Sequence, residues 1–156
     1  MTNRFSMFSY GMNTNLKGMS HRCPTATVLG PAILPDYQFR FRLHADIEPS
    51  PGAEVAGVLW NISEDDLYAL DILEGYPTYY TRFTVQVIHN NETVDAIVYM
   101  MTDQTYEEDP HLEYLDCCIQ GYEANGLNIN QLEEAYNSAF QVTSGQKKPR
   151  YVVDIN

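Results

Sequence analysis

Periodicity changes along the chain, from strand-like runs up to about Met101 to helical spacing beyond it, and this change is what most limits the folds available. Tyr37, Phe39, Phe41 and Leu43 alternate with Gln38, Arg40 and Arg42, the period of two that a half-buried strand requires. Val55-Ala56-Gly57-Val58-Leu59-Trp60 is apolar on both faces, which predicts a central strand with Gly57 permitting close approach. Residues 81–88 and 93–101 flank His89-Asn90-Asn91-Glu92, and two β-rich runs around Asn-Asn predict a hairpin. Past that point Asp109-Pro110 reads as a cap followed by proline at the first helical position. Leu112, Leu115, Ile119 and Tyr122 then mark one helical face, which Asn125-Gly126 ends. A second helix near 130–140 places Leu132, Tyr136 and Phe140 four apart, and 141–149 reads as a connector before a last strand at Tyr151-Val152-Val153. The expectation is one α+β domain spanning residues 1–156, long enough to bury a normal core.

One helix interrupts the strands. Ser63 followed by Glu64, Asp65 and Asp66 predicts an N-cap with acidic residues in the first turn, at the positive end of the helix dipole. The helix should run over 64–73, with Gly75 as its stop and Pro77 preventing continuation. Leu67, Leu70 and Glu74 share one face, so a carboxyl group ends a core-facing stripe. Desolvation there would raise its pKa toward the range useful for proton transfer; the other reading is a frayed last turn from which Glu74 reaches water. Tyr10-Gly11-Met12-Asn13 is a short apolar run ending in a loop able to offer backbone N–H groups to a ligand.

Apolar residues make up 44% and charged residues 19%, a globular composition. With 9 basic and 21 acidic side chains the net charge is −12, which argues against nucleic acid and anionic membrane surfaces as partners. The start of the sequence lacks an apolar signal core and nowhere do ~18 apolar residues run together, so a cytoplasmic protein is expected, monomeric or homodimeric. Cys23, Cys117 and Cys118 are odd in number with two adjacent, unlike a disulfide framework. The sequons at Asn61 and Asn91 then have no consequence.

His21, His44, His89 and His111 are scattered without metal-ligand spacing, so no metal is expected. There is no G-x-S-x-G and no dinucleotide or P-loop fingerprint. Cys23 or Cys118 as a nucleophile has nothing local to favour it over a buried structural cysteine.

Taken together in order, several stretches resemble the γ-glutamylcyclotransferase-like proteins, a group that includes γ-glutamyl amine cyclotransferases and AIG2-like proteins. They are Phe8-Ser9-Tyr10-Gly11-Met12-Asn13, Arg22-Cys23-Pro24, Leu29-Gly30-Pro31-Ala32, Leu34-Pro35, Gly57-Val58-Leu59-Trp60, the run from Leu70-Asp71-Ile72-Leu73-Glu74-Gly75-Tyr76-Pro77 to Tyr80, and Tyr99-Met100-Met101. A C-terminal element with Tyr114-Leu115 and Gly121-Tyr122 is also similar. The resemblance implies a small mixed β-barrel flanked by helices. It implies attack of a γ-glutamyl amide's own α-amine on its γ-carbonyl, releasing 5-oxoproline and an amine or amino acid, with no metal or organic cofactor. It also implies Glu74 as general base and then general acid, the loop Tyr10, Gly11, Met12, Asn13, Thr14 and Asn15 as the γ-glutamyl binding segment, and Tyr99 in the pocket wall. Tyr80 is a second aromatic candidate at the rim, or else a packing tyrosine. Met12 stands where the resembled loops commonly carry serine. The alternatives to an enzyme are a protein that binds a metabolite or signalling nucleotide in the same cavity, and a protein-interaction domain using its acidic surface.

Overall fold

The computed structural model describes residues 3–144. Five strands, β1 (Arg4–Ser9), β2 (Thr27–Arg42), β3 (His44–Ser63), β4 (Tyr80–His89) and β5 (Glu92–Met101), close into a barrel in the order β1-β3-β2-β4-β5. The long antiparallel β2–β3 hairpin runs from Thr27 opposite Asn61 to Arg42 opposite His44, and β1 lies antiparallel along the last third of β3. β4 and β5 form the hairpin anticipated from Asn-Asn; Asn90 and Asn91 both take positive φ, 51° and 64°, the geometry a two-residue hairpin turn demands. Closure is narrow. One pair, Ile33 opposite Ile88, joins β2 to β4, and one parallel pair, Met7 opposite Ile97, joins β1 to β5 and makes the barrel mixed.

The helices are α1 (Leu16–Arg22), α2 (Glu64–Glu74), α3 (Leu112–Ala124) and α4 (Asn130–Ser144). The barrel core, with Phe8, Phe41, Ile47, Leu59 and Val98, is continuous with the buried faces of α3 and α4. A second cluster, with Met7, Trp60, Ile62, Leu70 and Met101, lies under α2. Val55–Trp60 is buried as its two-sided apolarity predicts, apart from half-buried Ala56, and a Cβ on Gly57 would collide with the Phe8 ring and the Ser9 carbonyl. Leu132, Tyr136 and Phe140 of α4 are buried, and Gln131 of the same helix brackets the Ala56 peptide, accepting from its N–H at 2.8 Å and donating to its carbonyl at 3.0 Å.

Several expectations change on contact with tertiary structure. Leu43 is not in a strand; at φ 65° it forms the tip of the β2–β3 turn. Arg42, placed by alternation on the solvent side, is 3% exposed and ion-paired with Asp46 (2.8 Å) and Glu48. The segment after β5 folds across this end of the hairpin, with Leu43 N–H donating to the Glu108 carbonyl at 2.9 Å, so both faces are covered. His111, not Asp109, is the N-cap of α3. Leu112 is exposed, and the buried face of α3 is Leu115, Cys118, Gly121 and Tyr122. The short α1, capped by the Asn15 side chain accepting from Gly18 N–H at 3.0 Å, falls in a stretch with no strong apolar period. The three cysteines are free. Tyr151-Val152-Val153 lies outside the described residues. No described helix is long and apolar enough to cross a membrane.

Candidate active site

The C-terminal end of α2 is where local sequence and site meet. Ser63 and Asp66 form a reciprocal capping box, each side chain accepting from the other's backbone N–H at 3.1 Å, which is worth about 1 kcal/mol. Thr25 Oγ1 donates to the same Asp66 carboxylate at 2.6 Å. The helix therefore starts at a fixed point, and eleven residues later it ends on Glu74, with Gly75 in the left-handed conformation (φ 66°) that terminates a helix and that side-chain-bearing residues adopt with strain. In the last turn of α2, three residues before Glu74, Asp71 accepts two hydrogen bonds from Arg82 of β4, at 2.8 and 3.1 Å, and one from Tyr99 Oη of β5 at 2.7 Å. These bonds lock the helix end to the barrel.

Glu74 faces a cavity of about 40 Å³ walled by Phe8, Ser9, Tyr10, Gly11, Met12, Asn13, Ala45, Tyr80, Tyr99 and Tyr114. Burial raises its pKa to about 7, against the lowering effects of an Asn13 hydrogen bond and the Arg22 guanidinium. The Asn13 amide has one orientation that fits. Arg22 Nε can only donate and lies 3.1 Å from Asn13 Oδ1, so Asn13 Nδ2 is the atom presented to Glu74 Oε1, at 3.2 Å. The frayed-turn alternative for Glu74 does not hold, because the carboxyl is packed and hydrogen-bonded.

The tyrosines differ in what they offer. Tyr10 Oη donates to the Tyr99 carbonyl (2.7 Å), Tyr80 Oη to the Ala45 carbonyl (2.6 Å), and Tyr99 Oη to Asp71. These three spend their protons on the scaffold and show the cavity mainly their rings. Tyr114 Oη instead accepts from Ala45 N–H at 3.0 Å, which leaves its own proton to donate. Burial holds all four phenols well above their ordinary pKa, so they are neutral at pH 7.

Of the residues singled out from the sequence, Tyr10, Gly11, Met12, Asn13, Glu74, Tyr80 and Tyr99 meet in this cavity. Thr14 and Asn15 do not line it. Thr14 Oγ1 donates back to the Gly11 carbonyl at 2.7 Å, and Asn15 caps α1 while donating to the Cys117 carbonyl at 3.1 Å. Both shape the loop from below: residues 12–14 form a single 3₁₀ turn in which Thr14 and Asn15 N–H close onto Gly11 and Met12 carbonyls. Tyr114, Ala45 and Arg22 were missed as site residues. Tyr114 and Arg22 stand inside stretches that carry the family resemblance, but their half-buried positions give no periodic signal of their own.

A second, outer chamber of about 170 Å³ shares Met12, Glu74, Tyr80 and Tyr114 with the first and adds His44, Leu73 and Tyr79. Tyr79 Oη bonds His44 Nδ1 at 2.8 Å, and the His44 ring lies edge-on to Tyr79 and to Tyr114. Burial depresses the His44 pKa, with His111 acting in the same direction and Glu108 opposing, so the imidazole is neutral at pH 7.

The arrangement has known counterparts. Residues 7–117 match the sequence family described as "Gamma-glutamyl cyclotransferase, AIG2-like". The human γ-glutamylcyclotransferase is 30% identical over 145 residues, covering 83% of this chain and 76% of that protein, and the bovine protein of the same name is 30% identical over 140 residues, covering 80% and 73%. Among solved structures, one titled γ-glutamyl cyclotransferase superposes with a TM-score of 0.77 at 26% identity, covering 98% of both chains. A human protein described as uncharacterized superposes at 0.75 with 28% identity, covering 85% and 86%. The barrel, the helix ending on a half-buried glutamate and the loop facing it are thus features of a chain that belongs to the γ-glutamyl cyclotransferase, AIG2-like family.

Proposed function

We propose that this protein converts a γ-glutamyl amide into 5-oxoproline and a free amine, with Glu74 carrying the protons. The observation that carries the reading is the half-buried Glu74 carboxyl, hydrogen-bonded to Asn13 in an aromatic-walled cavity that the 10–13 loop also lines, where burial raises its pKa to about 7. The reaction needs one group that can do two opposite things. Glu74 as carboxylate takes a proton from the substrate's α-ammonium, and the freed amine attacks the γ-carbonyl carbon. The carbonyl oxygen becomes an oxyanion, for which the Tyr114 hydroxyl and the N–H groups of the 10–13 segment are suitable donors. Protonated Glu74 then gives its proton to the departing nitrogen and the γ C–N bond breaks; the regenerated carboxylate takes the second proton from the attacking nitrogen and passes it to the released amine, which leaves as ammonium, and the neutral five-membered lactam remains. A pKa near 7 suits both halves, since acceptance and return of the proton are then nearly balanced at physiological pH. Ring closure is intramolecular, so holding the glutamyl chain folded is itself a large share of the rate. A soluble small-molecule substrate and no cofactor are part of this reading, and so is a cytoplasmic setting. The test is a screen of γ-glutamyl amines, γ-glutamyl dipeptides and glutathione for 5-oxoproline. Release from at least one is the expected result, whereas none at all, together with a thermal-shift response to a metabolite lacking a γ-glutamyl group, would establish a binding protein instead.

If the loop works through its main chain, Met12→Ser should be tolerated and Gly11→Val should not. A Cβ at Gly11 would sit 2.6 Å from the Ala45 Cβ and 3.3 Å from Tyr114 Oη, so a β-branched residue pushes the loop off the barrel. Calorimetry with 5-oxoproline on folded protein should find near-normal affinity for Met12→Ser and a loss of tenfold or more for Gly11→Val; equal losses would contradict the claim.

Arg22 acts on Glu74 through charge and through Asn13. Arg22→Met is therefore expected to move the rising limb of the activity–pH profile to higher pH, because Glu74 then needs a higher pH to ionise. A lowered thermal midpoint with an unmoved profile would reduce Arg22 to a packing role.

A further inference from the structure

We propose that the outer chamber is the subsite for the departing amine, and that it selects amines with an apolar or aromatic skeleton and no carboxylate. The inference rests on the γ-glutamyl reading above and adds what the other half of the substrate must be. Glu74 lines both chambers, so a scissile amide whose nitrogen receives the Glu74 proton has its glutamyl half in the inner chamber and its other half in the outer one. The outer chamber is the larger and lies nearer the surface, with Leu73 and Tyr79 both exposed.

Its chemistry is uniform. Met12, Leu73, Tyr79, Tyr80 and Tyr114 supply hydrocarbon, thioether and ring surface, and Met12 adapts its shape to an apolar occupant more readily than serine would. Among the described residues, no lysine or arginine lines the chamber. His44, the one basic side chain among the described residues that line it, is neutral at pH 7 and already bonded to Tyr79. The ionised groups that act on the walls include three carboxylates, Glu74 itself, Glu108, and Asp46, whose charge is largely met by Arg42, while Arg22, which acts on Glu74, sits against Asn13 and does not line the chamber. An amino-acid leaving group would bring its α-carboxylate into this setting with no cation among the described wall residues to meet it, at the cost of desolvation and like-charge repulsion. An apolar amine only exchanges water for hydrocarbon, and it departs as an ammonium ion past acidic groups that favour it.

The experiment uses matched substrates on the full chain: γ-glutamyl-phenethylamide and γ-glutamyl-phenylalanine, which differ only in the carboxylate, with γ-glutamyl-methylamide to leave the outer chamber unfilled. The phenethylamide is expected to exceed both others in kcat/KM by tenfold or more. Leu73→Arg, a substitution at an exposed position that adds a cation to the chamber wall, is expected to shrink the preference over γ-glutamyl-phenylalanine or reverse it. Equal or better turnover of γ-glutamyl-phenylalanine by the parent overturns the inference while leaving the cyclisation reading intact. So does a preference unmoved by Leu73→Arg. Absence of 5-oxoproline from every γ-glutamyl compound removes the cyclisation reading itself, and the inference falls with it.

Discussion

Glu74→Gln is expected to cut 5-oxoproline release by at least ~10²-fold while leaving the protein folded and able to bind ligand. The amide is nearly isosteric and can still meet the Asn13 side chain, but it can neither take the ammonium proton nor return one. Normal turnover by the purified variant on any substrate the parent accepts would end the assignment. The same substitution carries a stability signature of opposite sign. Burial raises the Glu74 pKa from 4.5 to about 7, so the folded protein holds its proton more tightly than the unfolded chain does. The favourable contribution is fully present below about pH 4.5 and is lost as pH rises through about 7, where the folded protein must keep a desolvated carboxylate. Glutamine has no such dependence. The unfolding free energy of Glu74→Gln relative to the parent should therefore climb between pH 4.5 and 7 and level off above, by at most about 3 kcal/mol, with the thermal midpoint rising in parallel. A difference in stability that is flat with pH would mean that the carboxyl is not desolvated as its surroundings indicate.

The second large effect concerns the substrate. An N-acetylated γ-glutamyl compound should yield no detectable 5-oxoproline under conditions where the free-amine parent is consumed. Acetylation delocalises the nitrogen lone pair into the new carbonyl and leaves no ammonium proton for Glu74 to accept, so both the nucleophile and the first proton transfer disappear. Simple hydrolysis of the γ-amide would be indifferent to this change, since water would do the attacking. Mass-spectrometric detection of N-acetylglutamate from such a compound would redirect the mechanism to hydrolysis and remove the case for a folded, ring-closing substrate.

How much of this was legible in the sequence varied with the range of the interaction. The end of α2 could be read closely because each cause is local: Ser63 caps, Asp66 completes the box, Gly75 stops the helix, and spacing aims Glu74 inward. The β4–β5 hairpin was legible for the same reason. Arg42 was not, because alternation records which face meets the core and is silent about a later segment laid over the other face. The start of α3 slipped by two residues because Asp109 and His111 both flank Pro110 and only the path of the chain decides which becomes the cap. Of the candidate site, the loop was identified as a contiguous run, and the run proved too long: Thr14 and Asn15 turn away to hold α1 and α3. Tyr114 arrives from a helix more than a hundred residues downstream of Tyr10, and no local pattern connects the two.

That distance bears on how the protein comes into being. Tyr122 donates its hydroxyl to the Tyr10 carbonyl across 112 residues of chain, Tyr10 reaches Tyr99 across 89, and Asn13 reaches Glu74 across 61. Every wall of the cavity is thus a long loop closure, the slowest and entropically costliest kind of contact to form. During synthesis the β2–β3 hairpin can assemble early from neighbouring residues, but the cavity has no floor until α3 has been made and has docked on the first loop. An immature or partly opened chain therefore has no half-formed pocket, and under the proposed reaction any release of 5-oxoproline would report completion of the whole barrel.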